Sequence, residues 1–365
     1  MTKKIILSLL YCFSTLTLAA GPTKVATLDR ELWPQSINSA VAFDYASRFE
    51  IMQYTIAVAL APSANTAEIQ AFTNVNNINL NSINIWFSST KALLLKNYQT
   101  ASANCTESSV CRKASDWNSL VTISNETLTR HAASSWASAS QSFYQRYLYE
   151  QMRLALLFPR ISSEISVLAE NESTGKEFAD REFLLTFDDG PSKGQLTEKL
   201  VNALEAYDIH SYFFALGERL EKDPKKLKIL YKNQCLGSHG YQHKSHAKWD
   251  KWQESLQKTN ILINGVGSLA GKTWFRPPYG QRNLELSDYL NKKNAGVMLW
   301  NIDSQDWNRK LSAKNIQDRV ATLMLLWRHG IILFHDIHPK ALASLEGLQQ
   351  LKQSGELTWL DCRKK

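Results

Sequence analysis

Asp188 and Asp189 stand side by side at the end of the run LLTFDDGPS, where four apolar or β-branched residues give way to two carboxylates and Gly-Pro. Adjacent acids repel, and a strand interior has no use for them. A solvated turn would account for them, because Asp, Gly and Pro are all turn formers. Four other stretches supply complementary chemistry. GSHGYQH carries His239 and His243, FRPPYG carries Arg276 and Tyr279, NIDSQDW carries Asp306 and Trp307, and ILFHDIH carries His335. Two imidazoles and one carboxylate can hold a divalent metal through three protein ligands, leaving positions open for water and substrate. One member of the acidic pair can then be a ligand while its neighbour takes a proton from the activated water. A dication beside the pair makes their repulsion tolerable. Zinc suits such a donor set first, with cobalt or nickel able to occupy the same site.

These residues need a scaffold that gathers them. Each cluster follows a short apolar run, and the runs Phe183–Phe187, Ser211–Leu216, Cys235–Ser238, Thr273–Phe275, Val297–Asn301, Ile331–Phe334 and Thr358–Leu360 read as strands. Helical patterns such as Leu196, Leu200, Ala203, Leu204 and Tyr207 lie between them. Alternating strand and helix predicts an α/β fold with a parallel sheet, a distorted (β/α) barrel of about seven strands. In such a barrel the C-terminal strand ends share one face, where active sites sit. Ahead of it, residues 26 to about 170 read as mainly helical. Val41, Tyr45, Phe49, Met52 and Ile56 recur at helical spacing, as do Tyr144, Leu148, Met152 and Ala155. The Asn-rich interval from Asn74 to Asn84 is expected as a loop. Polar residues 171–182 are expected as a linker. Trp86, Trp117 and Trp136 could form a sugar-binding strip, but tryptophans isolated in helical patterns are expected in the core.

TFDDGP, SHGYQH, RPPYG, DSQDW and LFHD, in this order, resemble the five motifs of the polysaccharide deacetylases, the family four carbohydrate esterases. The resemblance covers Phe183 to Leu360 and leaves the helical first half uncovered. It implies Asp188 as general base, and Asp189, His239 and His243 as metal ligands. Arg276 would hold Asp188, the Tyr279 backbone N–H would meet the oxyanion, and His335, oriented by Asp306, would protonate the leaving amine. Trp307 and Leu333 would wall the pocket for the acetyl methyl. Gly240, where the family often has Ser or Thr, and Lys244, where Pro is common, depart from the pattern without removing a ligand. His246 and His338 match no ligand or acid position. The implied activity is removal of N-acetyl groups from N-acetylglucosamine residues of a glycan polymer.

Met1 to Ala20 reads as a secretory signal, with Lys3 and Lys4 ahead of the apolar run Ile5–Leu18 and Ala19-Ala20 at the cleavage point. Cys12 lies inside that run, which argues against a lipid anchor. No other stretch is apolar enough to span a bilayer. The expected organisation is therefore a signal over 1–20, a helical domain over 21–175 and a deacetylase domain over 176–365, in a periplasmic or secreted protein. Export permits disulfides. Cys105 and Cys111 are expected to pair locally, whereas Cys235 and Cys362 could pair or stay free. The net charge is +8, and the residues from Ala179 onward carry a surplus of seven positive charges while Gly21 to Phe178 is near neutrality; nothing resembles a nucleic-acid module. A basic catalytic half and a bacterial-looking signal favour peptidoglycan as the polymer, with chitin-type oligosaccharides next and acetylated xylan third. A carbohydrate-binding protein with an inactive pocket is the alternative of a different class. The completeness of the base, ligand and acid set argues against it.

Overall fold

The computed structural model describes residues 24–63, 65–105, 111–157, 170–267 and 272–364. The expected export signal lies outside them. Five helices come first: α1 (Ala40–Ala59), α2 (Thr66–Thr73), α3 (Leu80–Ala101), α4 (Trp117–Arg130) and α5 (Ser135–Leu157). Side-chain caps start them, as Ser39 does for α1 and the reciprocal Asp116–Ser119 pair does for α4. The Asn-rich interval is a loop only to Asn79, whose side chain accepts from the Ser82 N–H and opens α3. Asn81 and Asn84 are exposed on that helix while Ile83, Trp86 and Phe87 are buried, so polar residues there mark a wet face. Trp86 and Trp136 are core residues. Trp117 packs at the core's edge, its ring under the Lys91 ammonium. Val41, expected on the packed face of α1, is exposed.

Strands and helices then alternate: β1 (Glu172–Ser173), β2 (Glu182–Asp188), α6 (Leu196–Ala206), β3 (Tyr212–Ala215), α7 (Gly217–Leu220), α8 (Pro224–Leu230), β4 (Cys235–Ser238), α9 (Trp252–Val266), β5 (Thr273–Phe275), α10 (Leu284–Lys292), β6 (Ala295–Met298), β7 (Ile302–Asp303), α11 (Ala313–Trp327), β8 (Gly330–His335), α12 (Pro339–Ser354) and β9 (Thr358–Trp359). All strand pairs are parallel, in the order β1-β6-β5-β4-β3-β2-β8-β7, with β9 beside β2. Among the described residues no pairing joins β7 to β1, so the barrel stays open there. The seven expected strands are present, and six shift by a residue at most at either end. The one expected at Val297–Asn301 is Ala295–Met298 and leaves Leu299–Asn301 outside it, and β1 and β7 are two-residue additions too short to leave a sequence pattern. Residues 171–182, expected as a linker, dock instead. β1 pairs with β6, and Thr174 is fully buried.

Side-chain alternation decides which residues reach the interior. Along β2, Phe183, Leu185 and Phe187 join the apolar layer under the helices, while Leu184 faces the barrel. Thr186 and Asp188 share that inner face and meet Arg276 there. Parallel register sets Asp188 beside Phe214 on β3 and His335 on β8. A Cys235–Cys362 bridge ties the start of β4 to the segment after β9, and Cys105 pairs with Cys111.

The helical half covers α11. That helix is buried on nearly every side from Ile316 to Trp327, and a single apolar cluster runs from α1 and α5 through it into β2 and β8. The last carbonyls of a helix lack partners within it. Here Ser47 donates to Leu325 O, and Asn97 donates to Leu326 O and Trp327 O. Arg319, also buried, donates to Glu150 Oε2 at 2.8 Å, to Ala26 O at 2.9 Å and to Asp303 O at 3.0 Å. Removing one partner of a buried ion pair costs about 3–5 kcal/mol. Glu150→Ala is therefore expected to lower stability by about that amount in urea denaturation. A loss below about 1 kcal/mol would mean that water reaches Arg319.

Candidate active site

Asp188 ends β2 pointing into the barrel, 3 % exposed. Its Oδ1 accepts from Arg276 Nη1 at 2.8 Å, and the same nitrogen donates to Thr186 Oγ1 at 2.7 Å. Arg276 follows β5 and is fully buried; its Nε and Nη2 donate to Met298 O and Leu299 O, both at 2.9 Å, and its guanidinium lies 4.2 Å from the centre of the Phe214 ring. Planar, multiply bonded guanidinium leaves this carboxylate one orientation. Burial raises the Asp188 pKa, against the opposing pull of Arg276 and His335.

Asp189 turns the other way because its backbone is left-handed, φ 74°, a conformation that Asp tolerates better than most residues. Its Oδ1 lies 3.5 Å from His239 Nε2 and 3.6 Å from His243 Nε2. Donors around a tetrahedral ion bonded at about 2.1 Å stand roughly 3.4 Å apart, so the spacing fits a zinc-sized dication. Two further observations agree. Asp189 Oδ1 is buried without a hydrogen-bond partner. His239 Nδ1 is 2.7 Å from Arg276 O, which puts its proton on Nδ1 and frees the Nε2 lone pair for a ligand bond. Burial holds the His239 pKa well below the ordinary range, so its ring stays neutral. Asp189, His239 and His243 thus form a three-donor cluster suited to a divalent cation.

Asp306 clamps His335 with both oxygens: Oδ2 accepts from the His335 backbone N–H at 2.9 Å, and Oδ1 sits 2.7 Å from Nδ1. Burial disfavours protonation of His335, but Asp306, with Asp189 and Asp188 behind it, prevails and raises its pKa to about 10. Tyr279 lies in a tight turn with φ 61°, its ring 4.5 Å from that of His243. Leu333 is buried two residues before His335 on β8, and Trp307, half-buried, follows Asp306. The elements thus bring the expected polar residues to one end of the sheet. His246 is a buried structural residue between Lys244 O and Ser255 Oγ. A Cβ at Gly240 would come within 2.3 Å of the His246 ring, which explains the glycine there.

Two supports were not read from the sequence. Arg282 makes a buried two-pronged pair with Glu172 of β1, at 2.7 and 2.9 Å, and donates to Gly280 O at 3.3 Å. This props the turn carrying Tyr279. Glu172 lay in the polar stretch expected as a linker, and no local pattern links it to a residue 110 positions away. Asp336, directly after His335, accepts from Thr197 Oγ1 at 2.9 Å, while its backbone N–H donates to Asp188 O at 3.3 Å. A Cβ on Gly190 would strike its carboxylate. Burial, with Asp189 nearby, raises the Asp336 pKa to about 7.

Residues 175–298 match the family model described as polysaccharide deacetylase. A peptidoglycan-N-acetylglucosamine deacetylase of Bacillus cereus is 30% identical over 216 residues, covering 56% of this chain and 76% of that relative. The chain belongs to the polysaccharide deacetylase family. Among further members, the peptidoglycan-N-acetylmuramic acid deacetylase PdaC of Bacillus subtilis is 33% identical over 175 residues, 47% of this chain and 36% of that one. This chain spans half or less of the length of the first curated relatives it matches. A solved peptidoglycan N-acetylglucosamine deacetylase is 26% identical with a TM-score of 0.48, covering 53% of this chain and 92% of that one. A family 4 carbohydrate esterase from Streptomyces lividans, solved with acetate, is 28% identical with a TM-score of 0.44, covering 50% of this chain and 93% of that one.

In this deacetylase-family site, loss of a supporting partner of a metal ligand costs roughly 10–100-fold in affinity, and loss of a ligand costs more. Calorimetric titration of metal-free protein with zinc is expected to show His239→Ala weakened beyond that range. Asp188→Asn should bind within a few-fold of the parent. The reverse ranking would make Asp188 a ligand and remove His239 from the metal cluster.

Proposed function

We propose that this protein is an exported, divalent-metal-dependent hydrolase that removes N-acetyl groups from N-acetylglucosamine residues of peptidoglycan and releases acetate. One observation carries the reading. A carboxylate pinned by a buried arginine, a three-donor metal cluster and a carboxylate-clamped histidine meet at one end of the sheet. The family's peptidoglycan-directed relatives support the polymer, and the two disulfides support an oxidising compartment.

A divalent cation held by Asp189, His239 and His243 would supply Lewis acidity, polarising the acetamide carbonyl and acidifying water. The rest is work for the protein's own groups. Asp188, raised by burial and held by Arg276, takes a proton from the attacking water. The Tyr279 N–H donates to the oxygen on which negative charge develops. His335, with Nδ1 committed to Asp306, presents Nε2 to the leaving nitrogen and delivers its proton as the C–N bond breaks. The Asp306 carboxylate stabilises the imidazolium before transfer, as carboxylates do for catalytic imidazoles elsewhere. Leu333 and Trp307 wall the acetyl methyl. A complete base, ligand and acid set speaks against an inactive binding protein.

Loss of a general base or acid costs on the order of 10² to 10⁴ in rate. Asp188→Asn and His335→Ala are each expected to lose that much acetate release from peptidoglycan while retaining bound metal. Chelation should abolish activity, and zinc should restore it. Mass spectrometry of peptidoglycan, chitooligosaccharides and acetylated xylan after incubation ranks the substrates. Acetyl loss from xylan alone would replace the amidase reading with an esterase one.

A further inference from the structure

A basic cleft lies on the same rim as the proposed active site. It measures about 330 Å³, and its charged walls are Lys193, Glu198, Arg219, Lys222, Asp223 and Lys226. Lys193 belongs to the loop after β2, two residues beyond Pro191, and Arg219 and Lys222 lie in and just after the helix that follows β3. Both segments leave the C-terminal strand ends, where Asp188 and Asp189 also sit. The cleft is firmly joined to that centre. Arg219 Nη1 donates to Pro191 O at 3.2 Å, and Gly217 N–H and Glu218 N–H donate to Gly240 O and Tyr241 O, each at 3.0 Å, in the loop between His239 and His243.

Its charges are not balanced internally. Glu198 is engaged by Lys226, and Asp223 accepts from the Lys226 backbone N–H as the cap of α8. Among the described residues, Lys193 and Lys222 pair with no carboxylate, and both are exposed. Four cationic side chains against two carboxylates leave the cleft with two positive charges in excess, and two ammonium groups and a half-buried guanidinium face its open space. Such a surface favours an anion. A neutral N-acetylglucosamine polymer gives it nothing to hold.

We propose that this cleft is a subsite for the peptide carboxylates of peptidoglycan, seating the acidic substituent of a neighbouring sugar while the N-acetyl group enters the metal centre. This rests on the reading of the protein as a peptidoglycan deacetylase and narrows it: the enzyme selects glycan that still bears its acidic peptides. Rim charges of this kind act on association and its salt dependence more than on chemistry.

The test uses the full chain carrying Lys193→Glu and Lys222→Glu together, both on exposed surface and away from the reacting groups. Calorimetry measures binding, and acetate release measures turnover, on peptide-bearing fragments, on the same fragments with amidated carboxylates, and on neutral N-acetylglucosamine oligomers. The double variant is expected to bind peptide-bearing fragments about tenfold more weakly, with KM raised to match and kcat within about twofold. Amidation should weaken parent binding similarly, and added salt should weaken the parent more than the variant. Equal effects on charged and neutral substrates, or none on either, would overturn the subsite. Binding that responds to amidation and charge reversal without any acetate release would uphold the cleft and refute the deacetylase reading instead.

Discussion

The ion pair between Asp188 and Arg276 is the constraint around which the site is built. Taking a guanidinium wholly out of water is costly unless its donors are used. Arg276 meets that demand with one carboxylate, one threonine hydroxyl and two backbone carbonyls. Those partners come from β2 and from the end of β6, so the side chain laces across the barrel interior. Its own carbonyl then fixes the His239 ring. Orientation of the base and tautomer of a ligand are thereby set by a single residue. An arrangement so interlocked has little freedom to relax, which is what a pre-organised hydrolytic site requires.

The helical half enters the same account through α11. A helix buried on nearly all sides must find partners for its end carbonyls inside the protein, and Ser47 and Asn97 provide them. The strand after this helix is β8, which carries Leu333 and His335. Support for the acid side of the site therefore comes from residues 229 to 278 positions earlier in the chain than the carbonyls they hold. Arg328, just past α11, reinforces this by pairing with both Asp44 and Asp180.

Much of this could be read from the sequence, for a physical reason. Parallel strands buried on both faces are short, continuous apolar runs, and functional residues sit where those runs stop, so β2, β4 and β8 announced themselves together with Asp188, His239 and His335. What escaped notice depends on tertiary partners. β1 is two residues long and polar, and it is a strand only because β6 lies beside it. Glu172 looks like a linker residue until Arg282 buries it. Asn79, Asn81 and Asn84 suggested a loop because composition does not say which asparagine is a cap and which merely faces solvent.

The Cys235–Cys362 bridge encloses a covalent ring of the chain. SHGYQH, RPPYG, DSQDW and LFHD all lie within it, and only TFDDGP lies outside. The ring cannot close until residue 362 has been made, by which time every segment of the catalytic rim exists. Cys235 therefore has no native partner until a cysteine 127 positions later in the chain is available. During that wait it is open to mispairing with Cys105 or Cys111, whose own loop closes early and over a short span. The order in which the thiols appear thus favours the correct pairing, because the local partners can consume each other before the distant one arrives.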